Sequence, residues 1–202
     1  LHAIAGLKAA RKIPRALPVF LDSPMAVHTT HLFEHLSGAH RLSRQEVDAL
    51  TQCATMVTGV DESKALAARH GPMVILSASG MATGGRVLHH LEHHIGDHRN
   101  MVILTGYQAP GTRGATLASG TRSLRLHGRD LNVAAEVVQL TSASAHADGN
   151  QLLAWLRQMP TAPDQVYVVH GDAAAADTLR RRIGLELGWR AMVPEHGSTW
   201  PC

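Results

Sequence analysis

The sequence predicts an α/β fold with a mostly parallel sheet. Two observations predict it. Short apolar runs alternate with stretches of helical periodicity, the signature of strands crossing over through helices. Several of those runs also end in turn-forming residues or in histidine, as at Val74-Ile-Leu-Ser-Ala-Ser-Gly-Met-Ala-Thr-Gly-Gly-Arg86. At 202 residues and 45% hydrophobic, the chain can bury one core of good size, or one and a half. Aromatic residues make up 3%, so Leu, Val, Ile, Ala and Met must build that core.

The elements follow in order. Residues 18–21 read as a strand closed by Asp22-Ser23-Pro24, residues 25–36 have helical spacing, and Ser43 or Arg44 opens a short polar helix. Residues 56–60 form another strand pattern. Asp61, Glu62 and Ser63 then suit a helix N-terminus, running to about Arg69. Residues 73–76 are a strand, 86–95 a helix and 101–104 a strand, closed by the turn-rich segment from Gly106 to Gly114. Residues 123–127 alternate like a strand with one wet face, and residues 133–140 form a second β-like run. Residues 150–159 are an amphipathic helix, 166–169 a buried-type strand, 173–187 a helix and 190–193 a last strand. The texture changes near Asp130.

The formal charge of +3 excludes a block-charged nucleic-acid tail. Local clusters at Lys8, Arg11, Lys12 and Arg15, and at Arg180 to Arg182, can touch phosphates, although the second suits a solvated helix face. Cys53 and Cys202 are the two cysteines, which excludes a disulfide framework and a Cys-x-x-Cys metal site. No apolar run approaches the eighteen or so residues of a membrane span. A soluble, cytoplasmic protein without membrane contact is expected, and the start at Leu1 suggests a piece of a longer one.

Two features carry chemistry. The 79–85 turn delivers glycine and hydroxyl groups to a helix N-terminus, which makes either a backbone cradle for an anion, with Arg86 beside it, or an ordinary turn that needs glycine. His146 and His170 each follow an apolar strand, where open α/β sheets gather catalytic groups. A histidine there can ligate metal, transfer a proton, or merely satisfy a turn, and Asp148 is placed to orient His146. His89, His90, His93 and His94 share one helix without the His-Glu-x-x-His arrangement, and are expected to form a polar face.

Six ordered segments resemble the β-CASP branch of the metallo-β-lactamase fold, in particular RNA-processing enzymes related to the polyadenylation endonuclease. They are Phe20-Leu-Asp-Ser-Pro-Met-Ala26, Asp61-Glu-Ser-Lys-Ala-Leu66, Ser79-Gly-Met-Ala-Thr-Gly-Gly-Arg86, Gly106-Tyr-Gln-Ala-Pro-Gly-Thr-Arg-Gly114, Ser144-Ala-His-Ala-Asp148 and Val169-His-Gly171. The resemblance implies a partial β-CASP cap over residues 1–130, with a mainly parallel sheet. Residues 131–202 would be the C-terminal segment of a metallo-β-lactamase αββα core.

It also implies a zinc-dependent ribonuclease that hydrolyses RNA phosphodiester bonds by two-metal hydroxide attack. His146 and Asp148 would be catalytic, with His146 the general acid, and His170 would ligate the second of two zinc ions. Ser79, Gly80, Gly84, Gly85, Arg86 and Arg113 would face RNA in a channel between cap and core. The His-x-His-x-Asp-His motif of that family is absent from this chain. The sequence therefore resembles the C-terminal part of a longer enzyme, with most zinc ligands elsewhere, and should be inactive alone. A non-catalytic RNA-binding or scaffold subunit is the second reading, and a metabolite metallohydrolase the third. The apolar tail at Trp200 suits an interface, so a homodimer is allowed. Incomplete sheet edges predict poor solubility.

Overall fold

All four residues of the first strand, β1 (Val19–Asp22), are buried, the pattern of a strand covered on both faces. The computed structural model describes residues 1–141 and 146–200. In it, β1 is the centre of a parallel sheet, with β2 (Thr55–Met56) and β3 (Val74–Ser77) on its flanks. The register sets Asp22 opposite Ser77 at the carboxyl end. Helices supply the crossovers that parallel strands require. Helices α2 (Pro24–His35) and α3 (Arg44–Gln52) join β1 to β2, and α4 (Val60–Ala67) joins β2 to β3. An additional helix, α1 (His2–Ala9), precedes β1 where the periodicity predicts none.

The helix starts are written in short-range chemistry. Ser23 accepts from the Ala26 N–H with Pro24 in the first turn, and Ser43 and Glu46 close a reciprocal capping box. Each such cap contributes about 1 kcal/mol. The expected strand over 56–60 stops at Met56 for the same reason. The Glu62 carboxylate accepts from the N–H groups of Thr58 (3.3 Å) and Gly59 (3.0 Å), drawing the chain into the first turn of α4.

After β3 the chain enters α5 (Arg86–His94) and then β4 (Met101–Leu104). A short helix, α6 (Arg113–Ala118), leads to an antiparallel hairpin of β5 (Ser123–Leu126) and β6 (Arg129–Asn132). β7 (Glu136–Gln139) returns to pair in parallel with β4. Burial alternates along β5 as its sequence does, with Leu124 and Leu126 inside. These two pack with Leu88, Leu91, Ile95 and Leu117 in one core that joins α5 to the hairpin.

The chain divides into two compact units, Leu1–Ser142 and Ala143–Cys202. β6 and β7 pair back onto β5 and β4, which keeps residues just past 130 with the first unit. The second unit holds α7 (Gly149–Leu156), β8 (Val166–Tyr167), α8 (Ala173–Leu187) and β9 (Ala191–Met192), with β8 and β9 parallel. Its core is Leu153, Val168, Ala176 and Ile183. Among the described residues, no helix is long and apolar enough to cross a membrane.

Candidate functional site

Strand β1 delivers Asp22 to the carboxyl end of the sheet with no exposed surface. Three side chains converge on its carboxylate. Ser63 Oγ on α4 and His90 Nε2 on α5 each donate to Oδ2 at 2.6 Å, and Arg86 Nη1 donates to Oδ1 at 2.6 Å. Burial alone pushes this carboxyl up. The hydrogen bonds from Ser63, His90 and Arg86 outweigh it and hold Asp22 below the ordinary carboxylate range. The Arg86 guanidinium also donates to the carbonyls of Val57 (3.1 Å) and Thr58 (2.6 Å). One cation therefore ties the ends of β1 and β2 to the first residue of α5.

Above this network lies the 79–85 turn. Gly85 has φ +80, a backbone conformation that L side chains rarely adopt, and an added Cβ would meet the Ala78 carbonyl oxygen at 3.4 Å. Ser79 Oγ and Thr83 Oγ1 share a hydrogen bond of 3.0 Å across the turn. The N–H groups of Gly84 and Gly85 have no partner among the described residues. Gln108 Nε2 donates to the Gly80 carbonyl, and the Gly114 N–H donates to that of Met81. Arg113 reaches the carbonyls of Arg125, Ala82 and Thr83. A pocket of about 330 Å³ opens here, with Ser79, Gly80, Thr83, Gly106 and Tyr107 in its wall.

Of the residues expected to face RNA, the structure thus gathers Ser79, Gly80, Gly84, Gly85 and Arg113 around one turn. Arg86 differs. Its guanidinium points beneath the turn, because the fully buried Asp22 demands a counter-charge.

In the second unit, His146 is exposed and precedes α7, and His170 is exposed with φ +61 between β8 and α8. A non-glycine residue in that region carries backbone strain, a feature that clusters at functional sites. Asp148 caps α7: its Oδ1 accepts from the N–H groups of Asn150 (2.9 Å) and Gln151 (2.8 Å). Ser144 and Ala145 of the His146 segment lie outside the described residues. A hydrolytic zinc takes about three protein ligands. Among the described residues, the one group of three metal-type donors is His89, Glu92 and His127 in the first unit. His170 is not in it, so the described residues of the second unit do not fit a complete zinc site.

The basic cluster of α8 is paired locally, although its three cations share two carboxylates. Arg180 and Arg181 pair with Asp177, and Arg182 with Glu186. The indole of Trp200 lies tilted against Tyr167, with centroids 6.2 Å apart.

Sequence reasoning placed His90 on a polar helix face, and the structure corrects this: His90 is 7% exposed and bonded to Asp22. The signal was present, since Val87, His90, Leu91 and His94 follow the i, i+3, i+4, i+7 spacing of one face. Asp22 was legible in kind, as a carboxylate closing an all-apolar strand. Ser63 and Gln108 had no such signal, because their partners lie 41 and 28 residues away.

Comparison with known proteins agrees with this architecture. Residues 1–117 match the Beta-Casp domain, and residues 130–194 match the Zn-dependent metallo-hydrolase RNA specificity domain. Ribonuclease TTHA0252 of Thermus thermophilus is 37% identical over 183 residues, covering 86% of this chain and 41% of that protein. Transcription termination factor FttA of Methanocaldococcus jannaschii is 31% identical, covering 81% of the chain and 28% of the factor. Integrator complex subunit 11 of Gallus gallus is 35% identical over 136 residues, covering 67% of the chain and 22% of the subunit. The chain thus spans less than half the length of these relatives. With the Beta-Casp match covering more than half of its residues and the expected mixed α/β fold in place, the chain belongs to the Beta-Casp family.

Proposed function

We propose that this chain is the C-terminal part of a zinc-dependent ribonuclease. Its 79–85 turn contacts the RNA backbone, and its exposed histidines serve the chemistry. The observation that carries this reading is the turn itself. It presents the open N–H groups of Gly84 and Gly85 beside Ser79 and Thr83, on a base locked by Asp22, Arg86 and His90. Backbone N–H groups at a helix N-terminus hold phosphate without reading sequence. Arg113 lies on the rim of the turn, and Arg86 acts from beneath as a positioning residue.

In this reading His146 protonates the leaving oxygen, with Asp148 fixing the start of the helix behind it. His170 is a zinc ligand, and the other ligands of two zinc ions come from outside this chain. Both histidines fall inside the 130–194 match to the RNA specificity domain, which supports these roles. The test uses the full-length protein with zinc analysis and an RNA cleavage assay. His146→Ala should keep its zinc and lose about 10²- to 10⁴-fold in turnover, the range of general acid catalysis. His170→Ala should lose zinc as well. Equal zinc loss in the two variants would refute this division of roles.

A second reading, a non-catalytic RNA-binding or scaffold subunit, is equally compatible with the lack of a three-donor group at His170 among the described residues. Under it, neither variant would alter cleavage, while RNA binding would still fail when the 79–85 turn is disrupted.

A further inference from the structure

The outer face of α5 carries a second cluster of chemistry. His89 and Glu92 sit one turn apart on the helix, at the i, i+3 spacing that makes neighbours of side chains. Opposite them is the tip of the β5–β6 hairpin. His127 and Gly128 both have positive φ there, +47 and +80, as a two-residue turn of the mirror-image kind requires. That turn holds His127 over the helix. Its ring stacks on that of His89, with centroids 5.2 Å apart and planes 16° apart.

One nitrogen of each imidazole and one Glu92 oxygen lie within 4.8 Å of one another. The two Glu92 oxygens are divided: Arg129 binds Oε1, whereas Oε2 faces His127 Nε2 at 4.0 Å. The supporting elements do not have to move, because Leu88, Leu91 and Ile95 at the helix share a buried core with Leu124 and Leu126 of β5.

The geometry points to a divalent transition-metal site at His89, Glu92 and His127, of the zinc class, that clamps α5 to the hairpin. Two imidazole nitrogens and one carboxylate oxygen are a borderline donor set that suits zinc and cobalt(II) over magnesium or calcium. Ligand distances of about 2.0–2.2 Å call for donors somewhat closer together than in the free side chains. Small rotations of the exposed His89 and His127 side chains about the half-buried Glu92 supply the difference. Three protein ligands leave a fourth position for water. The site owes nothing to His170 or to the proposed nuclease chemistry.

The test is a titration of the chain with cobalt(II), followed by visible absorption, and with zinc, followed by calorimetry. The parent should bind one ion here with the absorption of tetrahedral cobalt. His127→Asn, which tolerates the positive φ of the turn, and Glu92→Gln should each weaken that binding at least tenfold while circular dichroism stays unchanged. His170→Ala should leave it intact, which separates this site from any metal held in the second unit. Identical titrations for the parent, His127→Asn and Glu92→Gln would overturn the assignment, as would loss of the signal in His170→Ala alone.

Discussion

Arg86 Nη1 lies 2.6 Å from Oδ1 of Asp22, a carboxylate with no exposed surface. The cation next to the glycine turn is therefore a fixed part of the fold. It neutralises a buried charge and, through the Val57 and Thr58 carbonyls, fastens two strand ends to the helix that begins with it. A free arginine would lose side-chain entropy on meeting an anion; this one is already ordered.

Asp22→Asn should destabilise the first unit by about 3–5 kcal/mol, the usual cost of leaving a buried partner charge uncompensated. Ser63→Ala removes one neutral donor and should cost about 1–2 kcal/mol. Urea unfolding midpoints measure both. Comparable stability of Asp22→Asn and the parent would show that the network does not hold the fold.

Stability should fall with acid in two windows. Burial, with the nearby His90, His93 and His70 charges, holds the His94 imidazole below its ordinary 6.5. The unfolded chain then takes up the proton first, and stability declines as pH drops below that value. Asp22 is also depressed, so its contribution is complete above the ordinary carboxylate value and is lost as pH falls through the folded one. Melting temperature followed against pH should show both declines. His94→Gln should flatten the upper one and leave the lower one.

Gly114→Ala tests how the turn is held. A Cβ there would lie 1.7 Å from Gln108 Oε1 and 3.1 Å from the Met81 Cα. The Gln108 side chain must swing away and release the Gly80 carbonyl, at a cost of about 1–3 kcal/mol for the crowding. Adding Gln108→Ala should restore part of the loss, because the two residues share one space. RNA affinity should fall with the single variant and stay low in the double, which has no Gln108 amide to hold the Gly80 carbonyl. Strictly additive effects in the unfolding assay would contradict the shared space.

The alternating order of strands and helices was readable because it depends on periodicity and caps, which act within a few residues. Strand β4 and helix α8 were placed at their observed bounds, since each is a clean apolar run or a long helical pattern with clear stops. The strand expected over 56–60 failed at a capping carboxylate, and α1 lacked a strong apolar stripe. The glycine turn and its hydroxyl groups were also legible, because glycine at positive φ is a local requirement.

What the chain alone determined, then, is most of the succession of elements, without α1, α6 and β6, together with the family segments and the kinds of residue at the turn and at the strand ends. Direction and partnership belonged to the tertiary structure. It turned Arg86 inward and buried His90 against Asp22, 68 residues away. It also brought His127 of a hairpin over His89 and Glu92 of a helix. The physical reason is that a buried charge selects its counter-charge by proximity in the packed core, and no local pattern encodes which distant residue will arrive there.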